Sequence, residues 1–202
     1  MPKEDLIDET QMDADVYCHE LRIPRDRIAV LIGTKGSIKS ELESDLDCRI
    51  EIDSKEGDVS ISGQNSVNLF ILKDVIKAIG RGFNPDIARR LLKSDYAVEF
   101  INIQDYAGRS KNRVTQLKAR IIGSKGKARD KIEQYTTTNI CVYGKTVGII
   151  GLVEDVVTAK RAIEKILTGS PHTSVFKWLE KKYRQKKHHD FLESMGIESA
   201  EK

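Results

Sequence analysis

The feature that most constrains the fold is a Gly-Xaa-Lys-Gly motif that occurs twice, 90 residues apart. Residues 31–36 read LIGTKG, and residues 121–126 read IIGSKG. At the same offset, Glu43 corresponds to Glu133 and Ile50 to Ile140. Because the matches include glycines and a lysine within one downstream pattern, the sequence indicates two copies of one module.

Both copies predict the same order of elements, β-α-α-β-β-α. The first copy has a strand at 17–23, helices before and after Gly33–Gly36, strands at 48–52 and 58–62, and a helix at 67–79. The second copy has a strand at 97–103, helices at 110–122 and 127–135, strands at 139–143 and 147–151, and a helix at 154–167. The agreement supports the duplication.

The chain divides into six segments. We expect an acidic flexible arm (1–15), a first module (16–80), a connector (81–96), a second module (97–171), a basic helix (172–190) and a flexible tail (191–202). Within the connector, Pro85 and the apolar residues after it predict a short helix. The basic helix has an apolar stripe, so it could bind a membrane, a partner groove or RNA. Without a lipidation signal, packing onto the body with a basic outer face is favoured.

The formal net charge of +3 hides a strong gradient along the chain. Residues 1–20 hold one basic and seven acidic residues, and residues 21–108 hold 13 and 14. Residues 109–187 hold 19 basic and six acidic residues, and residues 188–202 hold one and four. A basic block of this size predicts a surface that faces a polyanion, the alternative being a solvated basic face.

A Gly-Xaa-Xaa-Gly break between two helices is suited to holding phosphates. Glycine allows unusual backbone angles and close approach, and the helix that follows points free N–H groups at the loop. This is the arrangement of KH domains, whose GXXG loop clamps about four nucleotides. The predicted fold class is α+β: two tandem type I KH domains, each a three-stranded antiparallel sheet packed on three helices, plus a C-terminal basic helix.

The predicted RNA-binding residues are the two loops, their basic flanks and an apolar floor for the bases. In the first module they are Gly33, Thr34, Lys35, Gly36 and Lys39. In the second they are Arg120, Gly123, Ser124, Lys125, Gly126, Lys127 and Arg129, with Ile121, Ile122, Ile140 and Val142 as the floor. The floor residues could equally be core, and we expect backbone groups at Ile140 to read base edges. Acidic residues after the first loop favour the second module as the stronger binder.

Catalytic chemistry has little support in the sequence. Gly144-Lys145-Thr146 ends like a phosphate-binding P-loop, but Asn139 stands where that motif needs glycine. The four histidines form no metal-ligand spacing, and Glu43 and Glu133 are expected to make structural hydrogen bonds or to lie at the surface. We therefore expect no catalytic residues, no metal and no cofactor.

Cysteine usage and hydropathy bear on the compartment. The three cysteines are far apart, which predicts no disulfide framework and a reduced, cytoplasmic location. The N-terminus is acidic and lacks the apolar stretch of a signal peptide, and no apolar run is long enough to span a bilayer. We expect no membrane association.

The chain resembles archaeal members of the Dim2/Pno1 (partner of Nob1) family. The resemblance rests on GFNPDIARRLLKSDYAVEFINIQDYAG, ARIIGSKGKARDKIEQYTTTNICVYGKTVGIIG and ILTGSPHTSVFKWLEKK, and it covers about residues 16–187. It implies a ribosome-biogenesis factor that binds small-subunit (16S) rRNA or its precursor near the 3′ end. It also implies partners: a Nob-type nuclease, or the α subunit of translation initiation factor 2.

Three functional hypotheses remain. The leading one is non-catalytic binding of single-stranded RNA, and the second is a scaffold that holds a nuclease or initiation factor on the small subunit. The third, an RNA-processing enzyme, lacks a nucleophile–base pair or metal site in the sequence. Eukaryotic relatives have a degenerate first GXXG, whereas here it is intact, so whether the first module binds RNA or protein stays open.

Overall fold

A computed structural model describes residues 16–195. The arm predicted for 1–15 and residues 196–202 of the predicted tail lie outside this range. The first module comprises β1 (Tyr17–Arg22), α1 (Arg25–Ile32), α2 (Ser37–Leu46), β2 (Cys48–Asp53), β3 (Asp58–Gly63) and α3 (Ser66–Gly80). The connector holds α4 (Pro85–Ala88) and a 3₁₀ turn (Arg89–Leu92). The short helix expected after Pro85 is therefore present.

The second module repeats the order with one addition. It comprises β4 (Tyr96–Asn102), α5 (Gln104–Ala107), α6 (Lys111–Ile122), α7 (Lys127–Thr136), β5 (Asn139–Tyr143), β6 (Thr146–Leu152) and α8 (Val153–Leu167). The one-turn helix α5 was not predicted. The C-terminal helix α9 (His172–Ser194) extends past residue 190, so the first residues of the predicted tail are helical.

Each module has a three-stranded antiparallel sheet, as predicted. The strand orders are β1-β3-β2 and β4-β6-β5, so the two modules have the same topology. Ile50 lies opposite Ile61, and Ile140 lies opposite Ile149. Because β2 and β5 pair on one side only, each leaves a free backbone edge next to the helix that follows its GXKG loop.

One face of each sheet packs against the helices of its own module. The first core includes Leu31, Leu42, Ile50, Ile61, Leu72 and Ile76. The second includes Leu117, Ile121, Ile132, Ile149, Ile163 and Leu179 of α9. The apolar stripe of α9 is thus buried against the second module, as expected, and the helix completes that core.

The second sheet is covered on both faces, which the sequence analysis did not predict. Ile149 belongs to the core of its own module, whereas the next residue, Ile150, belongs to the core of the first. Connector residue Phe83 lies over Gly148 so closely that a Cβ there would be 2.5 Å from the Phe83 ring. The first module and connector therefore pack onto the outer face of the second sheet.

Polar contacts strengthen the junction between the modules. The Arg27 guanidinium of α1 donates to the carbonyls of Ile79 (2.9 Å) and Phe83 (2.6 Å). The Tyr143 hydroxyl, at the end of β5, donates to the Asp26 carboxylate at 2.6 Å, and this bond is the main reason why the pKa of Tyr143 is raised. The start of α1 is thereby fixed beside the free-edge strand of the second module.

Candidate nucleic-acid interface

The two GXKG loops have the same backbone conformation. The first glycines, Gly33 and Gly123, have φ of 74° and 72°, and the last glycine of each loop has φ of 81°. The intervening lysines, Lys35 and Lys125, are also left-handed, with φ of 53° and 52°. This region disfavours ordinary side chains, so its use at matching positions shows that one loop is built twice.

The glycines meet two different requirements. A Cβ on Gly33 would lie 2.5 Å from the Ile38 side chain, and one on Gly123 would lie 2.6 Å from the Ala128 Cβ. The first glycine thus lets the loop pack onto the next helix. A Cβ on Gly36 would meet nothing within 4 Å, so this glycine leaves an open surface that a polymer backbone can approach. A Cβ on Gly126 would be in ordinary contact with the Asp130 carboxylate, at 3.6 Å.

Each loop leads directly into a helix of ten residues whose N-terminus is open. The N-cap positions are Gly36 for α2 and Gly126 for α7, and neither helix has a side-chain cap hydrogen bond. The first backbone N–H groups and the positive end of the helix dipole therefore face the loop. This is the geometry that binds phosphate.

The predicted basic flank of the second loop divides into free and engaged side chains. Lys125 and Lys127 are exposed, and neither has an ion-pair partner among residues 16–195. Arg129 is partly buried and lies near the carboxylates of Asp130 (3.1 Å) and Glu133 (3.6 Å). The two lysines are therefore the cations available for a phosphate chain.

Arg120, predicted to flank the phosphates, is held in a contact with the start of α9. Its guanidinium donates to the Ser170 carbonyl at 2.8 Å, and its Nε is buried without a partner. In return, Nε2 of His172 lies 2.8 Å from the Arg120 carbonyl, one turn before the loop. Because the carbonyl oxygen can only accept, Nε2 of His172 carries the hydrogen of this bond. The bond also satisfies a carbonyl at the end of α6. We call this reciprocal pair of contacts the α6–α9 clasp.

The predicted apolar floor is partly core. Ile121 is fully buried and Ile140 is 5% exposed, so the alternative role as core residues describes their side chains. Ile122 and Val142 are half-buried, and Val142 packs against the second core. The region between Gly123–Gly126, α7 and β5 is termed the second groove, and Ile122 and Val142 are the predicted floor residues that keep exposed surface.

Acidic residues near the first loop are largely engaged. Arg89 of the connector bridges Glu41 and Asp45 of α2, with 2.7 Å to Asp45. Lys39 lies 3.8 Å from Glu43. These carboxylates repel a polyanion less than their number in the sequence suggests.

Glu43 and Glu133 make equivalent structural hydrogen bonds. Oε1 of Glu43 accepts from the Ile50 N–H at 2.7 Å, and Oε1 of Glu133 accepts from the Ile140 N–H at 2.6 Å. Burial raises the pKa of Glu133, although the Ile140 N–H and Arg129 act in the opposite direction. The Ile140 N–H, expected to read base edges, is therefore occupied by a carboxylate.

Residues 16–195 show neither a metal site nor a membrane-spanning helix. No cluster of three or more histidine, cysteine or acidic side chains in this range could hold a metal ion. Of the helices within this range, none combines the length and apolar character needed to cross a membrane.

Comparison with known proteins agrees with this geometry. Residues 97–184 match a family model described as a eukaryotic-type KH domain (type I), and residues 19–77 match a KH domain model. The chain is 45% identical over 170 residues to the KH domain-containing protein MJ0443 of Methanocaldococcus jannaschii, covering 82% of this chain and 74% of that protein. It is 24% identical over 180 residues to the pre-rRNA-processing protein PNO1 of Debaryomyces hansenii, covering 87% and 71%.

A solved structure has the same architecture. A chain in the crystal structure of an a/eIF2alpha–aDim2p–rRNA complex from Pyrococcus horikoshii superposes with a TM-score of 0.78 at 40% identity. The match covers 84% of this chain and 96% of that one. A chain of similar architecture thus occurs in an assembly that contains rRNA.

Proposed function

We propose that this chain, which belongs to the Dim2/Pno1 family of KH-domain proteins, binds single-stranded RNA at the 3′-end region of small-subunit rRNA or its precursor. RNA binding in ribosome biogenesis follows from the KH modules, a pre-rRNA-processing relative and a structural neighbour in complex with rRNA. The 3′-end region is the finer part of the proposal, and it rests on the family resemblance.

The observation that carries the proposal is the pair of identical GXKG loops in front of open helix N-termini. Each loop offers an exposed lysine and a glycine directly before a helix N-terminus that no side chain caps. Phosphates of about four nucleotides fit such a loop. In the second groove, the bases then lie towards Ile122 and Val142.

We propose that the second module supplies more of the affinity. Lys125 and Lys127 both lack an ion-pair partner among residues 16–195, whereas the first loop offers only Lys35 in this way, because Ser37 stands at the position of Lys127. Neutralising phosphates releases counterions, so RNA binding weakens steeply as salt rises.

We propose a binding role, and not catalysis, for this chain. Its family is one of RNA-binding KH proteins. A reduced, cytoplasmic location fits the three free cysteines.

A scaffold role is the second candidate, and a structural neighbour favours it. That neighbour comes from a complex that contains a/eIF2alpha as well as rRNA. The outer face of the first sheet is polar, and no residue of 16–195 packs over it, unlike the outer face of the second. Its exposed side chains are Cys18, Glu20, Arg22, Arg49, Glu51, Asp58 and Ser60. We propose this face for a protein partner such as a Nob-type nuclease or the α subunit of initiation factor 2.

Replacing the two middle residues of a loop with aspartate tests the RNA proposal. Both Ser124 and Lys125 are exposed, and aspartate tolerates the left-handed backbone at 125, so Ser124→Asp with Lys125→Asp preserves the fold. We expect affinity for a 3′-end rRNA oligonucleotide to fall at least about tenfold, because three units of charge are lost at a phosphate site.

The matched variant carries Thr34→Asp and Lys35→Asp in the first loop. We expect it to lose less affinity than the second-loop variant, measured by fluorescence anisotropy at two salt concentrations. Unchanged affinity in the second-loop variant contradicts the proposal.

A further inference from the structure

The inference concerns the base-facing edge of the second groove and rests on the proposed RNA binding. In an antiparallel pair, alternate residues of an edge strand direct N–H and C=O away from the neighbouring strand. Ile140 is such a residue, because its N–H donates to Glu133 and not to β6. By the same alternation, the Ile140 carbonyl also points to the free edge.

Glu133 changes which hydrogen-bonding groups this edge offers. A free edge residue would present one donor and one acceptor. Here the Ile140 N–H is already hydrogen-bonded to Glu133, and the carboxylate of Glu133, which has unused lone pairs, lies at the edge instead. The Glu133 side chain is 24% exposed, so part of the carboxylate is open to solvent. The edge at Ile140 therefore offers acceptors, and Arg129 lies 3.6 Å from the second carboxylate oxygen, Oε2.

The same arrangement occurs in the first module. Lys39, Glu43 and Ile50 correspond to Arg129, Glu133 and Ile140 at the 90-residue offset, and the carboxylate–amide distances differ by only 0.1 Å. Neighbouring positions of α2 and α7 have diverged in type, for example Glu41 and Lys131. The glutamate–amide bond has thus been retained where the surrounding helix surface has not. The cation differs in placement, because Lys39 approaches the amide-bound Oε1 of Glu43, whereas Arg129 approaches Oε2 of Glu133.

We propose that Glu133 determines base specificity, favouring at this position a base with an exocyclic amino group (adenine, cytosine or guanine) over uracil. Amino groups donate to carboxylates, as in recognition of the cytosine amino group by glutamate. Uracil presents two carbonyl oxygens around a single N–H, so an acceptor-rich edge repels it. A hydrogen bond to a charged group discriminates by about tenfold or more.

Glu133→Gln is the decisive variant. Glutamine retains an oxygen for the Ile140 N–H, so the structural bond is kept. The second oxygen becomes an NH₂ donor, to which a uracil carbonyl can bind. The control is Glu154→Gln, which removes the same charge from an exposed residue of α8 outside the groove.

The full chain and both variants are each used to select from a pool of single-stranded RNA octamers with every position randomised. We expect the unaltered protein and Glu154→Gln to deplete uracil about tenfold at one position of the bound motif. Glu133→Gln should restore uracil there to within about twofold, with other positions unchanged. Identical base profiles for all three proteins overturn the inference and leave Glu133 a purely structural residue.

A second measurement needs no variant. Adenine at the selected position is replaced by purine, which lacks only the amino group, and affinity is measured for the unaltered chain. A loss of about tenfold supports the inference, and equal affinity overturns it. Failure of the unaltered chain to bind the pool at all contradicts instead the proposed RNA binding, so the two failures are distinguishable.

Discussion

Phe83 provides a quantitative test of whether the two modules form one cooperative unit. Its ring is 3% exposed and lies between the first core and Gly148 of the second sheet, with Phe100 alongside. Truncation of a fully buried phenylalanine to alanine costs about 3–5 kcal/mol, because the cavity remains when neighbours cannot move in. Here both sides of the cavity are strands or helices of packed modules, so little collapse is expected.

Trp178 allows the effect to be followed from the other module. It is the only tryptophan in the chain and lies on α9, with Lys165 of α8 4.0 Å from the ring centroid. If the modules unfold together, Phe83→Ala shifts the Trp178 fluorescence transition. With a urea dependence of about 2 kcal/mol per molar, a loss of about 4 kcal/mol lowers the midpoint by roughly 2 M.

Phe70→Ala is the matched control. Phe70 undergoes the same chemical change in α3 but is 59% exposed, so we expect a midpoint within about 0.3 M of the unaltered protein. A Trp178 midpoint that does not move in Phe83→Ala, while circular dichroism shows an earlier transition of the first module, would refute the cooperative unit.

Three further predictions concern the loops and the second groove. His172→Ala removes the hydrogen bond to the Arg120 carbonyl and should weaken RNA binding, measured by anisotropy, about fivefold. His172→Gln keeps a donor and should restore the affinity. Equal affinities of the unaltered protein and His172→Ala contradict a role of the clasp in RNA binding. Gly123→Ala combines a positive φ with a clash and should lower the free energy of unfolding by about 2–4 kcal/mol in urea titrations, against about 1 kcal/mol for the unobstructed Gly36→Ala. Burial raises the pKa of Glu133 in the folded chain. Between the ordinary glutamate pKa and this raised one, the folded chain therefore keeps a proton that the unfolded chain has lost. The free energy of unfolding falls as the pH rises through this interval. Glu133→Gln should abolish that fall in urea titrations at stepped pH, and a fall of the same size in the variant would assign it elsewhere.

Much of the fold could be predicted because its signals are local. The glycines of each loop, the apolar periodicity of the helices and the two-residue turn at Gly144-Lys145 act over a few residues, and the repeat supplied an independent check. The burial of the second sheet on both faces is a non-local property. Its signal was the unbroken apolar run Val147–Gly151, which is typical of a strand covered on both sides, but the run does not say what covers the second face.

The candidate site was predictable in its loops and less so in its side chains. Arg120 was expected beside the phosphates, and its partner Ser170 is 50 residues away, so no local pattern could indicate the contact. The hydrogen-bonded N–H of Ile140 differs from the Arg120 contact, because the sequence did contain a signal for it. The recurrence of Glu133 at the position of Glu43 did signal a constrained residue, and only the coordinates show which group it engages.

The charge gradient along the chain has a different meaning once the contacts are known. The first module is nearly neutral by count, yet its loop has the same backbone as the second, and Arg89 bridges two of the carboxylates on α2 and offsets one of their two charges. Exposed ion pairs contribute little to stability, so this bridge matters more for the local potential than for the fold. The modules therefore differ less in loop geometry than in surroundings: the second loop has two unpaired lysines and is supported by the α6–α9 clasp. Since the connector packs one module against the other, we expect an RNA that reaches both loops to span a set distance, so the first loop, if the RNA reaches it, would select for length and would not act merely as a weaker copy.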